Sequence, residues 1–257
     1  MKQLLTIACS LAFVLALVAC GSDSSTSTNT EEQGFALKDG VIWEPSYGER
    51  AMTFFNENRN ADNFFTLKED DGRFFGHTDS DEGGTSTVKY AFSDTSLDIT
   101  FSNVYKWKKS AEGFEYDPFP YSSFGFVLVD SVKSVDVSSW EGGCFIYESS
   151  KNFEFFLSNP GAGQWYWRVL VPASSEKSMF QFKWTDMKRQ AWAENPIELE
   201  EALKSVVALM FESNDSTFPY NGTDKRSVCK SAEEACEPIT LENTVKIYKI
   251  GKFGACG

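Results

Sequence analysis

The sequence predicts an all-β fold, an antiparallel two-sheet β-sandwich or jelly roll with one short helix. Three observations predict it. Short runs of two-residue alternation recur from Trp43 to the C-terminus. Gly, Pro, Asn, Asp or Ser punctuates those runs, as turns require. Helix signals gather in a single stretch, and no repeat of fixed period and no internal linker divides the chain, so residues 35–257 read as one domain.

The first 34 residues stand apart. Lys2 precedes an apolar stretch from Leu4 to Ala19, closed by Leu17-Val18-Ala19-Cys20-Gly21. This resembles a bacterial lipoprotein signal. The resemblance implies that residues 1–19 are removed and that Cys20 becomes the lipidated N-terminus. The alternative is a transmembrane anchor, but the run is shorter than the ~20 apolar residues a span needs. Each buried lipid CH₂ contributes ~0.8 kcal/mol, so several acyl chains hold a domain firmly on a membrane. Residues 21–34, GSDSSTSTNTEEQG, lack aromatic and bulky apolar side chains and read as a flexible tether. Its typical reach is roughly 20 Å. The expected location is the bacterial envelope, with the outer membrane favoured because Gly21 rather than Asp follows Cys20.

Within the domain the predicted strands are Thr87–Phe92, Leu97–Asn103, Ser123–Val129, Gly142–Glu148, Phe153–Ser158, Gln164–Val171, Met179–Trp184, Val206–Glu212 and Thr244–Gly251. In the sixth, Gln164, Tyr166, Arg168 and Leu170 share one face, and Trp165, Trp167, Val169 and Val171 the other. The second set predicts burial for Trp165 and Trp167, and the first makes Tyr166 the better contact residue. Phe124, Phe126 and Leu128 are expected in the core. The helix is predicted over Asn195–Lys204: Asn195 is an N-cap candidate, Pro196 suits the first helical position, and acids precede Lys204.

Composition narrows the function. The 24 basic and 37 acidic residues give a formal charge of −13, and removal of Lys2 with the signal makes it −14. Phosphate recognition relies on basic clusters, so nucleic acid is excluded as a partner. The anionic headgroup surface does not attract such a chain either, and attachment to the membrane rests on lipid alone. Phe 23, Tyr 9 and Trp 7 are high counts for a chain this size; some must fill a core, and the question is whether there are more than a core needs. Apart from Cys9 in the signal and Cys20, four cysteines remain: Cys144, Cys229, Cys236 and Cys256. An even number in an exported chain reads as two disulfides. Three pairings exist. Cys229–Cys236, a short local loop, with Cys144–Cys256, a long-range tie, is the preferred one.

No HExxH, GxSxG, P-loop or GxGxxG pattern is present. The chain has one histidine, His77, which disfavours a Ser-His-Asp relay. His77 is expected in an exposed turn. A glycoside hydrolase needs two convergent carboxylates, which the abundance of acids makes easy to nominate and hard to specify. The run Asp79-Ser80-Asp81-Glu82-Gly83-Gly84 fails the EF-hand spacing, since Tyr90 stands where the bidentate glutamate belongs. It reads as a Gly-Gly turn with solvated acids, and a single structural calcium is the alternative. No other cofactor is implied. What remains is the mixture of aromatic and polar side chains, which suits sugars: rings stack on C–H patches, and Arg, Lys, Gln, Asn and Asp take the hydroxyls.

Four segments carry a resemblance. They are Asp79–Thr87, Val135–Tyr147, Met179–Lys188 and Ile247–Cys256, which are similar to segments of exported proteins from cellulolytic bacteria. Their order, from about Trp43 to Cys256, resembles the family 11 carbohydrate-binding modules, relatives of the galactose-binding-like jelly rolls. The resemblance implies a β-jelly roll that binds β-glucan in a cleft on its concave sheet. Matched by order, it implies glycan contacts at Tyr121, Arg189, Trp192 and Phe211, to which the strand pattern adds Tyr166 and Arg168. The segment Asn214 to Asn243, holding Cys229 and Cys236, departs from the family pattern. The expected protein is non-catalytic and monomeric, binds a plant cell-wall polysaccharide, and meets the membrane through its lipid. A structural or protein-interaction lipoprotein is the alternative, and it predicts that the aromatic candidates are buried or scattered.

Overall fold

The computed structural model describes residues 37–49, 74–110, 113–116, 119–128, 134–159, 167–190, 197–214 and 238–257. The expected signal and tether, Cys20, Trp165, Tyr166, Trp192, Cys229 and Cys236 lie outside them. The fold is mostly β-strand, arranged in two antiparallel sheets, with one short α-helix.

Sheet I contains β1 (Val41–Trp43), β3 (Thr87–Phe92), β4 (Leu97–Tyr105), β8 (Gly142–Ser149), β11 (Ser174–Lys183) and β14 (Ile239–Lys252). Its order is β11-β8-β14-β4-β3, with β1 also paired to β14. Sheet II contains β2 (Phe74–Thr78), β7 (Tyr121–Val127), β9 (Phe153–Ser158), β10 (Trp167–Val171), β12 (Lys188–Arg189) and β13 (Ala208–Asn214), in the order β12-β10-β9-β13-β7-β2. A ribbon of β5 (Trp107–Ser110) and β6 (Gly113–Tyr116) pairs separately. All nine predicted strands exist, and β1, β2, β5, β6 and β12 are additional.

The alternation explains sheet I. In β4, Leu97, Ile99, Phe101, Asn103 and Tyr105 are buried, and the residues between them are not. In β14, Asn243, Val245 and Ile247 point inward until the register slips between Ile247 and Lys249. That bulge inserts Tyr248, reverses the phase and turns Ile250 inward instead.

The two inner faces meet in an aromatic core. Phe145 of sheet I lies 5.3 Å from both Phe155 and Phe211 of sheet II. Phe74 stacks on Phe124 at 5.3 Å and meets Phe126 edge-on at 5.1 Å. Pairs of this kind contribute ~0.5–1.5 kcal/mol beyond their burial. Phe124, Phe126 and Leu128 are in this core, as expected. Trp167 is only half-buried and donates Nε1–H to the Ile197 carbonyl, so it closes the rim rather than the centre.

The segments that carry the family resemblance brace this sandwich. The Trp184 indole donates to the Val137 carbonyl at 3.1 Å, and the Trp184 amide donates to Glu141. Gly142 is needed beside them, because a Cβ there would stand 2.0 Å from the Phe182 carbonyl oxygen. Cys144 and Cys256 form a disulfide with Cα atoms 6.0 Å apart, the predicted long-range pairing. It closes a loop of 112 residues, worth ~4–5 kcal/mol by chain entropy.

The helix is shorter than predicted. α1 (Leu199–Leu203) begins after Glu198, which offers no side-chain cap, and Asn195 and Pro196 lie outside the described residues. It buries Ala202 and Leu203 against one end of the sandwich, where their carbonyls accept from Asn159 Nδ2 and the Val137 amide.

Candidate functional site

The outer face of sheet II departs from the usual antiparallel pattern. β13 is buried at all seven positions and β9 at five of six. Antiparallel sheets commonly leave one face to water, but here both faces of the central strands are closed. Ala208, Met210 and Phe156 form a second apolar cluster, packed with Phe75 and Val127. Gly125 makes room for it: a Cβ there would meet Met210 Sδ at 2.3 Å.

Register builds a polar row beside that cluster. His77, Ser123, Glu212 and Glu154 are paired across β2, β7, β13 and β9. Arg168 enters from β10. Its Nη1 lies 2.8 Å from Glu154 Oε2 and 2.5 Å from Glu212 Oε1. Asn214 Nδ2 donates to the same two oxygens, at 3.0 and 2.7 Å, and Ser123 donates to Glu212 Oε2 at 2.7 Å. The guanidinium also sits 4.5 Å above the Phe156 ring. Burial pulls the Arg168 pKa down, but the charges of Glu212 and Glu154 outweigh it and raise it above the ordinary arginine value. Two buried carboxylates thus share one buried cation, an arrangement stable only while every partner is present.

The row reaches solvent at Tyr121. This residue pairs with Asn214 and is half-buried, its ring 5.4 Å from that of His77. Burial first, and then Glu82, Glu212, Asp79 and Asp81, push its pKa up to about 12. Its hydroxyl is therefore a neutral donor with acids around it at ordinary pH.

The acidic turn beside it is built inward. Asp79 is fully buried and accepts from the Ser86 amide at 3.0 Å and the Ser86 hydroxyl at 2.6 Å. Ser86 Oγ accepts in turn from the Val104 amide. Gly84 has no side chain because Asp79 occupies that space: a Cβ would lie 2.1 Å from its carboxyl carbon. Asp81 and Glu82 face water. Among the described residues no three His, Cys, Asp or Glu side chains gather as a metal site. Asp79 is thus a tie between β2, β3 and β4 rather than a solvated acid.

Three expectations are corrected. Phe211 is fully buried, within 5.3–6.0 Å of Phe145, Phe155 and Phe153, so it cannot stack on a ligand. It alternates with Met210 and Glu212, and its phase points inward. Arg168 is 7% exposed and clamped by carboxylates, which removes it from the surface. His77 does not lie in the turn; it belongs to β2 and is half-buried, with Asp81 3.9 Å away. Arg189 is exposed, but it pairs with Trp167, whereas Arg168 pairs with Lys188. Arg189 and Arg168 therefore stand on opposite faces of the sheet. Of the six glycan contacts expected, Tyr121 and Arg168 share a face, Phe211 and Arg189 do not join them, and Tyr166 and Trp192 lie outside the described residues.

Glu154, Glu212, Ser123 and Asn214 were not singled out by sequence. A signal for them exists: Phe153-Glu154-Phe155-Phe156 and Phe211-Glu212-Ser213-Asn214 each set a lone acid in an apolar strand, and such an acid needs a buried partner.

No protein-family model matches this chain, and no curated protein matches it by sequence. Among solved structures it is similar to the family 11 carbohydrate-binding module of the cellulosomal cellulase Lic26A-Cel5E of Clostridium thermocellum, at 11% identity over 70% of this chain and 88% of that chain, with a TM-score of 0.40. A second likeness is the family 11 module from Clostridium thermocellum in complex with a beta-1,3-1,4-mixed-linked tetrasaccharide, at 9% identity over 69% and 87%, TM-score 0.38. A third is the agarase AgWH50C, at 11% identity over 77% of this chain and 24% of that chain, TM-score 0.36.

Proposed function

We propose that this chain is a non-catalytic glycan-binding protein, held on the bacterial envelope by lipid at Cys20 and directed at neutral plant cell-wall polysaccharide, β-glucan or hemicellulose. The observation that carries the reading is Tyr121. It offers a half-buried ring and a neutral phenol, next to the His77 ring and the exposed acids Asp81 and Glu82. Ring stacking and hydroxyl recognition need that combination. The acids around Tyr121 repel uronates and phosphates and leave neutral sugars as the matching class. The apolar signal ending at Leu17–Cys20 supports the anchor, with the outer membrane as the site. A single contact of this type is weak, and many copies on one membrane act by avidity.

Electrophoresis of the unit 34–257 through gels holding mixed-linkage β-glucan, xyloglucan, xylan or mannan tests this. Retardation on a neutral polymer but not on polygalacturonate is the expected result. Migration unchanged in all of them would sink it.

A second reading, a structural or protein-interaction lipoprotein, is favoured by one observation: the outer face of sheet II is closed at Glu154, Phe156, Met210 and Arg168. On that reading Tyr121 is a rim residue without a ligand.

A further inference from the structure

A groove of about 480 Å³ lies on the outer face of sheet I, within the usual size range for small-molecule sites. Its floor is set by register. Lys246 of β14 stands between Asp98 of β4 and Glu148 of β8, paired with both. One step along, Thr244 pairs with Thr100, and its amide donates to Ser150 Oγ at 2.9 Å. Ser174 and Ser175 close the far wall, and the Ser174 hydroxyl is held by the Glu176 carbonyl at 2.7 Å. Among the described residues no ion pair ties Lys246 to either acid.

Its edge is fixed by the β14 bulge. Tyr248, the inserted residue, donates its hydroxyl to Glu148 Oε1 at 2.6 Å, and its ring is covered by Lys177 Nζ at 4.2 Å. Asn243 holds the adjoining turn: its Oδ1 accepts from the Ser150 hydroxyl and the Lys151 amide, and its Nδ2 donates to the Asn152 carbonyl. Glu148 and Ser150 are thus positioned before any ligand arrives.

We propose that this groove is a second saccharide site, taking one or two neutral sugar rings. The inference rests on the reading of the domain as glycan-binding, but not on Tyr121 or sheet II. An ammonium between two carboxylates presents a donor next to acceptors at strand spacing, which matches vicinal hydroxyls that both donate and accept. Asp98 and Glu148 are balanced by Lys246 and by Lys177 at the edge, so the groove holds no surplus of positive charge to favour an anion in a chain of net charge −13. With no aromatic ring among the described residues that line it, binding here is weaker than at an aromatic platform and rests on hydrogen bonds.

Backbone amide NMR of the full chain, titrated with a mixed-linkage β-glucan tetrasaccharide and in parallel with a galacturonate oligomer, separates the sites. The expected result is that the neutral oligosaccharide shifts the amides of 98–100, 148–150 and 244–246. Lys246→Met and Thr244→Trp are expected to abolish those shifts while the rest of the spectrum keeps its native dispersion. Shifts around Tyr121 with none in the groove would overturn this proposal and leave the Tyr121 reading standing. Groove shifts with none at Tyr121 would do the reverse. A groove that responds to the galacturonate oligomer instead, or to neither sugar, also overturns it.

Discussion

The outer faces of the two sheets solve opposite problems. Sheet I turns a polar surface to water: β4 alternates strictly, and its outward Asp98, Thr100 and Ser102 stand beside Lys246, Thr244 and Glu242. Sheet II buries its outer face, and so must neutralise the charges it carries there. Arg168, Glu154, Glu212 and Asn214 do this by sharing hydrogen bonds, where Asp98 is exposed and Lys246 and Glu148 are only half-buried. The same residue types thus serve as a structural clamp on one face and as an open groove on the other. Burial, not chemistry, makes the difference.

The largest break in that comparison is Arg168→Ala, which removes the buried cation that Glu154 and Glu212 share. It is expected to cost ~3–5 kcal/mol in urea denaturation, whereas Lys246→Ala stays within ~0.5 kcal/mol. Replacing Arg168, Glu154 and Glu212 together by apolar residues of similar volume should recover most of the loss. Equal costs for the two single variants would remove the distinction. Next in size is Cys256→Ser, which frees the 112-residue loop and is expected to lower stability by ~2–5 kcal/mol, read from the same denaturation curves. EDTA should leave the melting temperature unchanged, since Asp79 is engaged by Ser86; a fall on chelation would restore calcium to that turn.

A small effect is expected in alkali. Tyr121 titrates at an ordinary 10.0 unfolded and at about 12 folded. Its folded form retains the proton longer, so its contribution to stability is full below pH 10 and is lost as pH rises toward 12. In Tyr121→Phe the decline of stability over that window should be shallower, as a series of melting curves would reveal.

Much of this fold was legible. Period-two runs such as Leu97–Asn103 and Phe153–Ser158 gave strands, and the cysteine placement gave the tie between Cys144 and Cys256. The site was less legible, for physical reasons. Pairing register decides which residues face each other, and it is not written in any one strand. Arg168 and Arg189 were each expected as glycan contacts, and the pairing of β10 with β12 sets them on opposite faces. Phe211 looked like a contact by its place in the family order, but its phase in β13 turns it to the core. The motifs that carry the family resemblance, around Trp140 and Trp184, hold the sandwich together, so they speak to fold more than to ligand.

The most direct test of the central claim compares the wild-type unit 34–257 with Tyr121→Ala on mixed-linkage β-glucan, with melting curves recorded for both. The account predicts a retarded wild type and an affinity about five- to tenfold weaker in the variant, at nearly the same melting temperature. Equal retardation of the two, or no retardation of the wild type on any neutral polymer, would contradict it.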